Sequence, residues 1–319
     1  MDNKITKRRL SDMLSYDWIF ILVVIVGACL VWSLIYTVAG VRLSEGQTFN
    51  IQYYYSVNSS KSAQLTNDLV DKKVFSYDVI GGVRTESIDE QYGSQILAAR
   101  ASTHEGDIMI VDNKAQTEKI TLDGVETEVT FSNFMAFVDN YPMYDMEQLL
   151  TDAEAYLAQF YTDGVLSEEK VEAHFVERMK GDNRYRKEEA RADGVREEIG
   201  RISALKTEVA AFRSLFEQHK GLFTSYARFS YRYALGEATK ENIQEEKYYG
   251  VNLGYLAEFH GEKESISSMF WLSGDTAETA SAENVVLTVY NYLQYQPDLQ
   301  FETISFINYL VRTYSTLLD

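Results

Sequence analysis

Residues 18–41 read WIFILVVIVGACLVWSLIYTVAGV, 24 residues without a single charge. A helix needs about 20 apolar residues to cross the hydrocarbon core of a bilayer, so this run is long enough to span one. Lys4, Lys7, Arg8 and Arg9 crowd its N-terminal flank. By the positive-inside rule they keep residues 1–17 in the cytoplasm, and everything after Arg42 then lies outside. Trp18 and Tyr36 suit the two membrane interfaces, and Trp32 completes the aromatic set of the anchor. The expected partner of this segment is the lipid bilayer itself.

A cleaved secretory signal has an apolar region of only about 7–15 residues. Val26-Gly27-Ala28-Cys29 does look like a lipoprotein processing box, and Cys29 is the only cysteine in the chain. The apolar run nevertheless continues through Leu30, Val31, Trp32, Leu34, Ile35 and Tyr36, where a processed lipoprotein turns polar. The expectation is an uncleaved single-pass anchor, with lipidation at Cys29 as the alternative. The basic tail, about 17 residues, is too short to hold a folded signalling module.

The outer segment, about 280 residues, has no cysteine, so it relies on an apolar core rather than on disulfides. A cysteine-free exported domain fits a bacterial cell surface. The chain carries a net charge of -18 and its first 41 residues contribute +1, so the outer segment is strongly acidic, and such a surface repels nucleic acid. With only two prolines, Pro142 and Pro297, a proline-rich stalk is excluded.

Along the outer chain, 49–55 alternates as a strand, 62–73 has helical period, and 74–80 reads as a second strand. A helix is expected over 86–103 and a buried strand over 108–111. That order, β-α-β-α-β with short connections, implies a parallel core with helices on its faces. Asp123-Gly124 inside 120–129 marks a hairpin. Asp145 to Tyr161 is amphipathic, and Ser167 is a helix N-cap with Leu166 and Val171 as a hydrophobic staple. Residues 182–200 are mostly charged, which fits a solvated helix pair, a lid-like insertion or a protein-docking arm. Helical period returns over 202–233. Strands follow at 248–253 and 268–272, then helices at 283–293 and from Pro297 onward.

The stretch Lys73-Val74-Phe75-Ser76-Tyr77-Asp78-Val79 and the helix running through Ala99 to Gly106-Asp107-Ile108-Met109-Ile110-Val111 carry a resemblance. So do Phe137-Val138-Asp139-Asn140-Tyr141 and Tyr249-Gly250-Val251. Together they resemble the type 2 solute-binding proteins of ABC importers, the sugar-binding class, over about residues 45–145. The resemblance implies an α/β fold of two lobes, 42–140 and a helix-rich 141–319, closing over a small polar solute delivered to an ABC permease. Ligands in open α/β sheets sit beyond the carboxyl ends of the strands. Tyr55, Asn58, Asp112 and Asn113 are therefore the candidates from the first lobe, and Trp271 from the second. For Asp112 the plainer role is a turn or cap residue, and for Trp271 core packing. The chain departs from the family in its shortage of proline and tryptophan and in its charged helical half.

No catalytic constellation accompanies this. His104, His174, His219 and His260 are scattered without a zinc spacing. There is no G-x-S-x-G elbow, P-loop or G-x-G-x-x-G. The expectation is a binding protein without catalysis, cofactor or metal. The rival is an envelope scaffold that engages a membrane complex through the charged helices of 167–220.

Overall fold

In the computed structural model the described residues are 18–39, 47–75, 80–89, 91–229, 243–276, 279–295 and 297–319. Two compact units make up the chain, one ending at Ser44 and the other spanning Glu45–Asp319. The first contains helix α1 (Trp18–Ala39), apolar from end to end. Its window Trp18–Tyr36 is long and apolar enough to cross a membrane, and Trp18, Trp32 and Tyr36 are all exposed. Lys4, Lys7, Arg8 and Arg9 lie outside the described residues.

The second unit begins with β1 (Thr48–Tyr54), β2 (Val57–Ser59), α2 (Ser62–Asp71), β3 (Gly82–Ile88), α3 (Gly93–Thr103) and β4 (Ile108–Asp112). Next come the hairpin β5 (Gln116–Leu122) and β6 (Val125–Phe131), then α4 (Asn133–Asn140) and α5 (Met146–Ala158). The two-residue strands β7 (Tyr161–Thr162) and β8 (Val165–Leu166) lead into α6 (Glu168–Arg178) and the 31-residue α7 (Glu188–Gln218). The chain closes with β9 (Phe223–Phe229), β10 (Ile243–Asn252), α8 (Leu253–Glu258), β11 (Phe270–Leu272), β12 (Val285–Val289), α9 (Pro297–Gln300) and α10 (Glu302–Tyr314).

Six strands form one sheet in the order β3-β1-β4-β12-β10-β9. β1 is parallel to both β3 and β4, as the β-α-β-α-β reading requires. β12 runs antiparallel to β4 and β10, and β9 antiparallel to β10. Strands from both expected lobes thus lie side by side in one sheet. β1, β3, β4 and β10 point the same way, so their carboxyl ends share one end of it.

Both faces of the sheet are covered. Phe49, Ile51, Ile110, Val285 and Leu287 face the larger core, with Leu149, Leu205, Phe212 and Ile307 from the helices. Met109, Val111 and Val286 face a smaller one with Leu97, Phe134 and Phe137. The alternation within Val285-Val286-Leu287 places successive side chains in opposite cores, as a strand must.

Several sequence expectations are corrected. The strand expected at 74–80 falls instead on Gly82–Ile88; Val74, Phe75 and Ile80 are not in a strand, and 76–79 lie outside the described residues. β3 is an edge strand, and its Arg84 and Glu86 are charges that keep an edge from pairing elsewhere. Those same charges make it look like a helix start, so the helix begins at Gly93 rather than Glu86. The helix expected at 283–293 is β12, five buried residues at the sheet centre. A short apolar run does not distinguish a buried strand from a buried helix by period, although Val285, Val286, Thr288 and Val289 are β-branched. The helix expected through 233 ends at Gln218, and Phe223–Phe229 pairs with β10. Gly221 there has no room for a side chain, since a Cβ would lie 2.8 Å from the Tyr255 ring.

Other local signals hold. Asp123 and Gly124 both adopt positive φ at the β5–β6 turn, the geometry of a two-residue hairpin. Ser167 accepts from the Lys170 amide at 3.4 Å, and Leu166 and Val171 both join the core. The charged stretch 182–200 is mostly the first half of α7, which passes straight through Gly194 and Gly200. Gly194 is needed there because a Cβ would lie 2.4 Å from Phe175 Cζ, so only glycine lets α6 and α7 touch.

One charge of that stretch, Glu198, is buried, and so is Arg201 just beyond it. Glu198 accepts from Arg178 at 2.8 and 3.0 Å and from Arg201 at 2.7 and 2.9 Å. Arg201 also donates to Glu302 at 3.0 Å and to the Tyr156 hydroxyl at 2.8 Å, which donates to Asp298 at 2.9 Å. The network ties α5, α6, α7, α9 and α10 together. Burial pushes the Glu198 carboxyl up, but two guanidinium forks outweigh it and hold the group down at about 2. Burial dominates at Glu302, which has one guanidinium partner, and its carboxyl is raised.

Glu198→Ala leaves the buried Arg201 guanidinium and the half-buried Arg178 guanidinium without their anion. It is expected to cost about 3–5 kcal/mol in urea unfolding of residues 45–319. The Glu198 contribution is present above the ordinary glutamate value of 4.5 and lost as pH falls toward about 2. Wild type and variant should therefore converge in stability across that window.

Candidate functional site

At the carboxyl end of the sheet lies a cavity of about 480 Å³. β4 contributes Asn113, just past its end, β10 contributes Asn252, and β9 and β12 contribute Thr224 and Val286. The remaining walls are the first turns of α8, with Tyr255 and Glu258, and the approach to β12, with Ser281, Glu283 and Asn284. The lining is mostly amides and hydroxyls, with two carboxylates and no lysine or arginine.

Local chemistry shapes these walls. Asn252 caps α8, its side-chain oxygen accepting from the Tyr255 amide at 3.4 Å. Gly254 permits the approach of the chain before β12, since a Cβ would lie 3.2 Å from the Ala282 carbonyl oxygen. Asn284 has a left-handed backbone at φ 62, a conformation asparagine tolerates better than most residues. Its carbonyl accepts from the Asn113 amide at 2.6 Å, which joins the two rims.

At the end of β1 is an aromatic group that shares no residue with the cavity lining. Tyr54 packs on Tyr55 with ring centroids 4.4 Å apart and edge-on against Phe137 at 5.1 Å, and Phe137 stacks on Tyr141 at 5.2 Å. Burial first, then Tyr55, Tyr141 and Asp112, push the Tyr54 hydroxyl up to about 12. It stays protonated as a donor at neutral pH.

The five residues singled out from sequence divide into four settings. Asn113 lines the cavity, and its side-chain oxygen accepts from Ser132 at 2.7 Å. Asp112 is buried and spent on structure, accepting from Asn133 at 2.7 Å and from the Lys114 amide at 3.3 Å. These bonds hold the feet of the β5–β6 hairpin, so the plainer role of Asp112 is the one found. Tyr55 is exposed in the turn after β1. Asn58 and Trp271 lie directly opposite each other in the two-stranded β2–β11 ribbon, away from the cavity lining.

Sequence reasoning missed Asn252, Thr224, Ser281, Glu283 and Asn284. Asn252 carried a readable signal, an asparagine between a strand and a helix. The others converge only because β12 inserts between β4 and β10.

No group of three or more metal-ligating side chains is present among the described residues. Comparisons with protein-family models, curated proteins and solved structures found no match.

One strongly perturbed carboxyl lies at the opposite end of the sheet. Asp107 precedes β4 and is buried, and its side chain accepts from the Asn50 amide at 2.7 Å. Burial, only partly offset by that bond, raises it to about 7. The folded protein thus holds this proton more tightly than the unfolded chain, and stability falls as pH rises from the ordinary 3.8 toward 7. Asp107→Asn keeps an acceptor for Asn50 and removes the charge. It is expected to be more stable than wild type by roughly 2–4 kcal/mol at pH 8, with no difference below about pH 4, in urea titrations at several pH values.

Proposed function

We propose that this chain is a membrane-anchored, extracytoplasmic binding protein for a small polar solute. The observation that carries the reading is the polar cavity of about 480 Å³ at the carboxyl end of the sheet. Its volume falls in the range of small-molecule sites, and its place is where open α/β sheets take ligands. Delivery of the solute to an ABC permease in the same membrane is the role implied by the resemblance of residues 45–145.

The binding device differs from the hinge of two lobes that the resemblance suggests. Residues Glu45–Asp319 form one compact unit built on one sheet, which favours a preformed pocket over closure. The same observation favours a second reading, an envelope scaffold that binds a membrane complex through the charged faces of α6 and α7.

Anchoring through α1 predicts that the mature chain keeps its N-terminus and stays in the membrane pellet after an alkaline wash. Cys29→Ser leaves this unchanged if α1 is the anchor and releases the protein if Cys29 carries a lipid.

Solute binding is tested by thermal melting of residues 45–319 against saccharides, amino acids and polyamines. A ligand at 100 times its Kd adds about 2.7 kcal/mol, which raises the midpoint by several degrees. The paired substitution Glu258→Ala and Glu283→Ala, both at exposed positions, should reduce that shift without lowering the unliganded midpoint. A flat response across the panel from a cooperatively melting sample shifts the conclusion to the scaffold.

A further inference from the structure

A second cavity, about 540 Å³, lies on the helical layer between α7, α10 and the turn after α2. On α7 its lining runs from Glu197 to Glu208 and on α10 from Glu302 to Arg312. At 1.5 Å per residue the groove is about 16 Å long. Its ends and its middle differ. At one end is the buried Arg201–Glu302 pair, already saturated by the network. At the other, Arg312 pairs with Glu208 at 2.9 Å and Lys72 with Asp68 at 3.1 Å. Between them the walls are Val74, Ala204, the edges of the core residues Phe75 and Leu205, and Ser305 and Tyr309 of α10.

One charge at the second end is left over. Lys73 lines the groove, is exposed, and makes no ion pair among the described residues. Its backbone is left-handed at φ 51, an uncommon conformation for a lysine. It closes the C-terminus of α2 and fixes where the side chain leaves the turn. Lys73 thus leaves a cation, unpaired among the described residues, at one end of the groove on a chain of net charge -18.

We propose that this groove binds a free amphiphilic carboxylate. Its apolar body lies along Val74, Phe75, Ala204 and Leu205, and its carboxylate is held at Lys73. The site is separate from the polar cavity at the sheet end and shares no lining residue with it.

The test is calorimetric titration of residues 45–319 with decanoate, decanol and decyltrimethylammonium, each kept below its micelle-forming concentration. Decanoate is expected to bind with one-to-one stoichiometry, at least about tenfold more tightly than decyltrimethylammonium, with decanol between them. Lys73→Glu should weaken decanoate by about tenfold or more and narrow the gap between head groups. Ala204→Trp, at an exposed helical position, fills the trough and should abolish binding with the melting midpoint unchanged. Absence of decanoate binding to a cooperatively melting protein overturns the proposal. So does binding that ignores head-group charge or survives Ala204→Trp, because that is partition onto apolar surface elsewhere.

Discussion

Glu198 stands between two guanidinium groups, and the helical layer is assembled around it. Arg178 reaches it from α6 and Arg201 from one turn further along α7. Arg201 then spans to Glu302 on α10 and, through Tyr156 on α5, to Asp298 on α9. Taking these charges out of water costs several kcal/mol per ion, and the cost is recovered only when every partner is in place. The network therefore adds little net stability over an apolar core of the same shape. It strongly penalises any other arrangement of the five helices, because a misplaced helix strands a buried ion. Gly194 belongs to the same constraint, since the contact of α6 with α7 is possible only without a side chain there.

The second organising feature is the direction of β12. It enters antiparallel between β4 and β10, and so leaves β10 pointing the same way as β1, β3 and β4. Four carboxyl ends then share one end of the sheet, and residues as distant as Asn113 and Asn284 meet there through a backbone hydrogen bond of 2.6 Å. A polar cavity at this place follows from topology. Loops leaving strand ends carry unpaired backbone groups and short polar side chains, and the converging strands hold them apart.

The two cavities have opposite chemistry because they sit on different supports. The one at the sheet end is walled by loops and caps, whose residues are Asn, Ser, Thr and Glu. The one on the helical layer is walled by stripes of α7 and α10 at helical spacing, with charges toward its ends and Ala204, Leu205, Ser305 and Tyr309 between them.

The sequence alone determined the apolar helix, a β-α-β-α-β order with parallel strands, the β5–β6 hairpin and the cap at Ser167. These rest on local physics: twenty uncharged residues in a row, a period of two or of 3.6, an Asp-Gly turn, a side chain that caps its own helix. The place of Asn113 just past a strand end, where it lines the cavity, was legible for the same reason, since it follows a buried strand directly. Tertiary structure decided what depends on neighbours far along the chain. Val285–Val289 is a strand because β4 and β10 flank it; its five buried residues have no period that says so. β3 is a strand despite its charges because an edge needs them. Glu198 and Arg201 lie in a stretch whose composition says solvent, and they are buried because Arg178 and Glu302 arrive from elsewhere to satisfy them. Local propensity is written residue by residue, whereas burial of a charge or the direction of a central strand is a property of partners that only the folded chain brings together.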